Sequence, residues 1–199
     1  MTGRRALLRL AGAFAANVTV TAAAWAVISG GVSSRSALAA GPPAAGKLPP
    51  GVVAVAGDLK RLGTATMRWF GLPLYDASLW VRGAQWDADD NYALEMVYAR
   101  EFTGKALAES SITEMKRVGF TDEAEHARWL AAMVRLFPNV SRGYRLIGVH
   151  LKGGGASFFG QDRPLGTIDD PQFGNAFFSI WLDPRTREPQ LRARLLGKS

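Results

Sequence analysis

Residues 67–80 of the chain read MRWFGLPLYDASLW. Apolar and polar side chains alternate on either side of Gly71 and Pro73, and β-branched and aromatic residues are frequent from position 52 to position 81. An alternation with a period of two indicates half-buried strands, and the glycine and the proline mark the turn between two of them. We therefore predict strands near residues 52–56, 64–70 and 74–82.

The segment that follows predicts one more strand and then two helices. Apolar residues alternate along residues 92–102, which indicates a strand with one buried face. Thr103 is a suitable N-cap for a helix that ends at Gly119. Thr121 is predicted to cap a second helix, and Pro138 terminates it because proline cannot continue a helix.

The last third of the chain predicts a hairpin and two further helices. Residues 145–151 and 156–159 flank three consecutive glycines, which is typical of two strands joined by a turn. Asp170 followed by Pro171 is a helix start, and residues 188–196 predict a short basic helix. The order of elements predicts an α+β fold, in which helices pack on one face of an antiparallel sheet.

Residues 1–39 resemble a secretory signal peptide. Arg4 and Arg5 precede a mildly apolar stretch at residues 10–28, and residues 37–39 read ALA, a cleavage site of the A-x-A kind. Because paired arginines resemble a twin-arginine signal, we predict export by that route and a periplasmic or otherwise exported location. The alternative is an uncleaved N-terminal membrane anchor, for which this stretch is barely apolar enough.

The remainder of the chain predicts a single domain. Residues 40–56 are small, Pro-rich and then apolar, and we predict a linker and a leading strand there. Residues 57–197 are long enough for one domain with its own core. Once the signal peptide is removed, we expect no stable membrane insertion.

The charge pattern argues against a nucleic-acid partner. The chain carries a net charge of +7, but residues 1–39 hold four arginines and no acidic residue. Without those four arginines, 20 of the 24 basic residues and all 17 acidic residues remain, and they are interleaved along the chain. A nucleic-acid binder concentrates its basic residues on one face, so we predict no nucleic-acid partner.

Metal and cofactor sites are also not predicted. The chain has no cysteine, which excludes disulfides and thiolate ligands. His126 and His150 lack the spacing of a metal-ligand pair. We therefore expect neither a metal nor a cofactor.

Three segments together resemble the bacterial chalcone isomerase-like family: residues 67–80, 98–105 and 177–186. The resemblance extends over residues 57–197 and implies an open-faced β-sandwich, in which a large antiparallel sheet carries a layer of helices with a ligand cleft between them. Plant members cyclise a flavonoid precursor, whereas other members bind fatty acids and perform no chemistry. The fold alone therefore does not decide the function, and the site residues must.

The helix after Thr103 departs from the catalytic pattern of the family. The resemblance implies that isomerases place Tyr, Lys and Asn at positions i, i+3 and i+7 of this helix, and here those positions hold Leu107, Ser110 and Glu114. A leucine cannot donate or accept a proton. We therefore predict no catalytic residues, and we expect Leu107 and Ser110 to line a ligand cleft.

Arg68 and Tyr75 match the ligand-binding pattern instead. The resemblance implies that fatty-acid-binding members hold the ligand carboxylate with an Arg on one strand and a Tyr on the next. A guanidinium offers a planar fork of donors to a carboxylate, and a phenol adds another donor. Tyr98 is predicted to line the same cleft. The alternative is structural, with Arg68 paired to an acid such as Asp76 and Tyr75 filling the core.

These observations predict an exported, non-catalytic binding protein for a fatty acid or a similar small apolar acid. Two alternatives stay open. One is an isomerase or lyase that acts on an unsaturated carbonyl compound and uses Arg68 to stabilise an enolate or phenolate. The other is a ligand-free interaction protein of the cell envelope.

Overall fold

The computed structural model describes residues 46–198, which form a six-stranded antiparallel sheet and five helices. In chain order the elements are α1 (Pro50–Ala56), β1 (Lys60–Trp69), β2 (Leu72–Val81), β3 (Tyr92–Tyr98), α2 (Gly104–Arg117), α3 (Glu123–Leu136), β4 (Arg145–His150), β5 (Ala156–Gly160), β6 (Arg163–Ile168), α4 (Pro171–Leu182) and α5 (Pro189–Leu195). The predicted α+β fold with a large antiparallel sheet is confirmed.

The strands lie in the sheet in the same order as in the chain, from β1 to β6. Each strand is antiparallel to its neighbours, and β3 and β4 are separated in sequence by α2 and α3. Tyr75 of β2 lies opposite Tyr98 of β3. Because side chains alternate between the two faces, this register places residues 75, 77 and 79 of β2 on the same face as residues 94, 96 and 98 of β3.

The larger core lies between that face and the helices. Its fully buried side chains come from both layers and include Leu79, Leu94, Phe158, Phe173 and Phe177. Burying each such side chain contributes about 1.5–3 kcal/mol. This core is the main source of stability, and it surrounds the inward-facing residues of β2 and β3.

A smaller core lies on the opposite face of the sheet and involves α1. Leu48, Val52 and Ala56 pack there against five sheet residues: Trp80, Ala93, Ile147, Val149 and Phe159. The sequence had predicted helices on one face of the sheet only, and the position of α1 shows that this prediction is wrong. The second face is covered in part by a single short helix.

The prediction of a leading strand over residues 52–56 is wrong, because these residues belong to α1. Pro50 occupies the first helical position, where its missing N–H costs no hydrogen bond. Val52 and Ala56 are four positions apart, so a helix brings both onto the sheet. Their burial outweighs the small helix penalty of β-branched residues.

Two further details differ from the prediction. Asp122, and not Thr121, caps α3, since its carboxylate accepts hydrogen bonds from the N–H groups of Ala124 and Glu125. The strand β6 was not predicted, because Pro164 and Gly166 interrupt its pattern. Such residues are tolerated at a sheet edge, and β6 is an edge strand.

Several local predictions are confirmed. Thr103 caps α2, with its hydroxyl accepting from the Ala106 N–H at 3.1 Å. Asp170 caps α4, and the glycine-rich turn joins β4 to β5. The predicted signal peptide, the twin-arginine motif and the linker up to residue 45 lie outside the described residues. Among residues 46–198, no helix has the length and apolar character needed to cross a membrane.

Candidate functional site

Two tyrosines stand side by side on the helix-covered face of the sheet. Tyr75 and Tyr98 are paired across β2 and β3, and their rings meet edge to face with centroids 5.8 Å apart. Both belong to the larger core or pack against it. The predicted ligand residues Tyr75 and Tyr98 are thus brought together by the sheet register.

The side chain of Tyr75 is half-buried, and its hydroxyl has a partner in the helix layer. It accepts a hydrogen bond from the indole Nε1 of Trp181 on α4 at 2.9 Å. Burial raises the pKa of Tyr75 to about 12, the hydrogen bond from Trp181 opposes that rise, and the charges of Glu188 and Glu114 add to it. Tyr75 therefore keeps its proton at neutral pH and retains an O–H donor.

The hydroxyl of Tyr98 has an even poorer set of partners. Tyr98 is 4% exposed, and within the described residues its hydroxyl has one hydrogen-bond partner, the Met96 sulfur at 4.0 Å. A thioether is a weak acceptor. Burial is the main cause that raises the pKa of Tyr98, and the neighbouring Tyr75 adds to it. A second protonated phenol thus lies in apolar surroundings without a strong acceptor.

The predicted α2 residues lie along the helix that covers this region. Leu107 packs against the larger core, and Ser110 is half-buried. The Glu114 side chain is 15% exposed and makes ion pairs with Arg117 at 3.2 Å and Arg187 at 2.9 Å. The three positions therefore present an apolar group, a hydroxyl and a carboxylate that two guanidinium groups already hold.

Arg68 lies outside the core that holds the two tyrosines. Its side chain is exposed, and its Nη1 donates to the Gly71 carbonyl at 3.1 Å. The suggested structural partner, Asp76, accepts instead from the Thr66 hydroxyl at 2.6 Å. Arg68 still belongs to the same hairpin as Tyr75, because its neighbour Met67 pairs with Tyr75 across the sheet.

Sequence reasoning missed the part that Trp181 plays. Trp181 lies on α4 among the apolar side chains of the larger core. A buried indole N–H nevertheless requires an acceptor, and that requirement is a usable signal. The identity of the acceptor, 106 positions earlier in the chain, follows only from the packing of α4 on β2.

A surface groove of 330 Å³ lies elsewhere, between α3 and β6. Its lining consists of Ala132, Arg135, Leu136, Thr167, Ile168 and Asp169. None of the predicted ligand residues belongs to it. Within residues 46–198, no group of three or more His, Asp or Glu residues is placed to hold a metal ion.

Comparisons with known proteins support the assignment of the fold. The family model described as chalcone isomerase-like matches residues 44–197. An uncharacterized protein of Haemophilus influenzae is 27% identical over 139 residues, which cover 69% of this chain and 68% of that protein. The crystal structure of an Arabidopsis thaliana fatty-acid binding protein superposes with a TM-score of 0.51 and 12% identity, covering 70% of this chain and 87% of the other. At that identity the similarity establishes a shared fold.

Proposed function

Since the chain belongs to the chalcone isomerase-like family, we propose that it binds a fatty acid or a similar small apolar acid without converting it. The carboxyl group of the ligand is placed at Tyr75 and Tyr98. One observation carries the proposal: two protonated phenols, the buried Tyr98 and the half-buried Tyr75, lie next to each other, and within residues 46–198 neither hydroxyl hydrogen has an oxygen or nitrogen acceptor.

A carboxyl oxygen is the kind of acceptor that these hydroxyls lack. A buried donor without a partner costs about 1–3 kcal/mol, so a ligand that supplies an acceptor recovers part of that free energy. The surroundings suit an acyl chain, because Met96, Phe102 and Leu107 belong to or pack on the larger core. The fatty-acid binding role named for the Arabidopsis protein of the same fold supports this choice of ligand.

Arg68 is proposed to complete the site from the outside. One of its five N–H donors is used on the Gly71 carbonyl. The side chain is long and exposed, so it can exchange this neutral acceptor for the carboxylate of an incoming ligand. Such an exchange replaces a neutral hydrogen bond with a charge-assisted one.

The absence of turnover is inferred from α2. Leu107 and Ser110 occupy the positions at which the resemblance implies a catalytic Tyr and Lys, and Glu114 is held by two arginines. Export is part of the same proposal and is supported by the signal-like composition of residues 1–39. An exported protein of this kind would carry or store an apolar acid outside the cytoplasm.

The proposal is tested by titrating the protein with a fatty acid below its micelle concentration. Tyr98→Phe and Tyr75→Phe each remove one donor and keep the ring, so each is expected to weaken affinity by up to about tenfold. Tyr92→Phe is the matched control, because Tyr92 lies on the same face of β3 at its other end, about 20 Å away. Unchanged affinity in a folded Tyr75→Phe/Tyr98→Phe variant would refute the assignment of this site.

A further inference from the structure

The β1–β2 hairpin ends in an exposed apolar turn. The hairpin tip comprises residues 69–72, in which Phe70 is 89% exposed and Leu72 is 52% exposed. These two are the most exposed of the four large apolar side chains that lie open to solvent in the described part of the chain. The pairing of β2 with β3 ends at Tyr75, so the tip projects beyond the neighbouring strand. A projecting apolar cluster of this kind indicates an interaction site.

The backbone of the tip makes phenylalanine a costly choice there. Phe70 has φ 47° and Gly71 has φ 78°, so both central residues of this two-residue turn have positive φ. Such turns favour Asn, Asp or Gly, because a bulky side chain is strained at positive φ. Phe70 neither suits the turn nor buries its ring in the core. Its ring meets Trp69 edge to face, with centroids 5.0 Å apart, and still stays 89% exposed, so burial does not account for this residue.

Two arginines are held against the backbone of the same hairpin. Arg68 Nη1 donates to the Gly71 carbonyl, and Arg100 Nε donates to the Pro73 carbonyl, each at 3.1 Å. Both side chains are exposed, and one exposed acid, Glu101, follows Arg100 in sequence. The guanidinium groups therefore flank the apolar tip and keep donors free for a further partner.

We infer that the hairpin tip docks on an anionic lipid bilayer. Phe70 and Leu72 enter the boundary between headgroups and acyl chains, and Arg68 and Arg100 contact lipid phosphates. Aromatic side chains favour this boundary, and arginine binds phosphate through its planar fork. The inference shares Arg68 with the proposed small-ligand site but does not depend on the tyrosine pair.

The size and shape of the tip favour a bilayer over a protein partner. A stable protein interface buries about 800 Å² on each side, which requires 20–30 residues. The tip offers two strongly exposed apolar side chains on a narrow projection. A fluid lipid surface accepts such a projection without a matching pocket, and its negative charge attracts the flanking arginines.

The first test measures binding of the full chain to vesicles by flotation. Vesicles of phosphatidylglycerol and phosphatidylcholine are compared with vesicles of phosphatidylcholine alone. The wild-type chain is expected to prefer the anionic vesicles, and Phe70→Asn/Leu72→Thr is expected to weaken that binding about tenfold or more. Gln161→Asn, in the two-residue turn between β5 and β6, is the matched control and should bind as the wild type does. Equal binding by the double variant would overturn the inference.

A second test locates the contact within the molecule. The chain has no cysteine, so Leu72→Cys and Lys152→Cys each accept a single environment-sensitive fluorophore. Lys152 lies in the turn after β4, at the opposite end of the sheet. Anionic vesicles should shift the emission of the label at position 72 to shorter wavelength and leave the label at position 152 unchanged. No shift at position 72, or equal shifts at both positions, would overturn the inference even if the chain binds vesicles through its N-terminus.

The proposal for the tyrosine pair and the proposal for the hairpin tip can be refuted independently of each other. Phe70→Asn/Leu72→Thr should bind a soluble fatty acid as tightly as the wild type, because neither residue contacts the tyrosine pair. Tyr75→Phe/Tyr98→Phe should float with vesicles as the wild type does. If Tyr75→Phe/Tyr98→Phe lost vesicle binding, the assignment of that binding to the hairpin tip would be contradicted. The proposal for the fatty-acid site would not be affected by that result.

Discussion

The sheet ends in two turns with similar backbones and opposite chemistry. The β1–β2 turn has φ 47° at Phe70 and 78° at Gly71, and the β5–β6 turn has φ 46° at Gln161 and 67° at Asp162. Each connects an edge strand to the sheet through two residues. One turn presents an exposed phenyl ring, whereas the other presents an amide and a carboxylate. A turn with two positive φ angles therefore forms with either polar or apolar residues. The backbone geometry does not require the exposed phenylalanine at position 70.

The polar turn has a structural role that the apolar turn lacks. Asp162 accepts from Arg145 at 2.8 Å, and the same guanidinium binds Glu95, whose side chain is 2% exposed. Glu95 also accepts from the Trp80 indole at 2.9 Å. The arginine beside the apolar turn, Arg68, is exposed and binds a backbone carbonyl. The two arginines should therefore respond very differently to removal.

The largest expected effect is on stability at the polar turn. Arg145→Ala leaves the buried Glu95 carboxylate without its cation, and breaking a buried pair in this way lowers the free energy of unfolding by about 3–5 kcal/mol. Arg68→Ala is the matched control and should change that free energy by less than about 0.5 kcal/mol, because the side chain is exposed. Urea denaturation of both variants measures the difference. Equal losses would remove the contrast between the two turns.

The second effect is on ligand affinity, which should depend on the arginine beside the apolar turn and not on an arginine beside the polar turn. Arg68→Ala should weaken fatty-acid binding by about tenfold to more than a hundredfold, since a charge-assisted hydrogen bond contributes about 1.5–3 kcal/mol. Its melting temperature should stay near that of the wild type. Arg163→Ala removes an exposed arginine beside the polar turn and serves as the control for titration. A stable Arg68→Ala protein that binds as tightly as its parent would exclude Arg68 from the ligand site.

A smaller effect concerns the strain of the apolar turn itself. Phe70→Asn should raise the free energy of unfolding by about 1 kcal/mol, because asparagine tolerates positive φ better than phenylalanine does. The same variant should bind anionic vesicles less tightly. Denaturant curves and vesicle flotation on one preparation of Phe70→Asn should show higher stability together with weaker vesicle binding. A loss of stability would mean that Phe70 supports the fold after all.

The smallest expected effect is on the rate of chalcone cyclisation, which the residues of α2 should leave unchanged. Incubation with a hydroxylated chalcone should give flavanone at the spontaneous rate, since Leu107 provides no proton donor or acceptor. Leu107→Tyr/Ser110→Lys restores two of the residue types that the resemblance implies for isomerases and serves as a comparison. Stereospecific product from the wild type would revive the isomerase alternative and count against a purely binding role.

Local features of the fold could be predicted because they depend on neighbouring residues. The caps at Thr103 and Asp170 follow from side-chain oxygens that reach N–H groups two or three positions ahead. The β1–β2 hairpin follows from an alternating pattern on both sides of Gly71. The prediction for residues 52–56 failed because these residues form a continuous apolar run, VVAVA, and such a run does not distinguish a strand from a helix. The packing of Val52 and Ala56 on the sheet decided in favour of α1.

The sequence by itself determined the α+β class, the order of most elements, the family resemblance and the residue types of the candidate site. Only the tertiary structure decided which of those residues meet. Tyr75 and Tyr98 become neighbours through strand register, and Trp181 reaches Tyr75 because α4 crosses the same face. Arg68 shares the hairpin of Tyr75 and still stands outside the core. Register and layer packing depend on contacts between distant parts of the chain, and a local pattern of residues does not encode them.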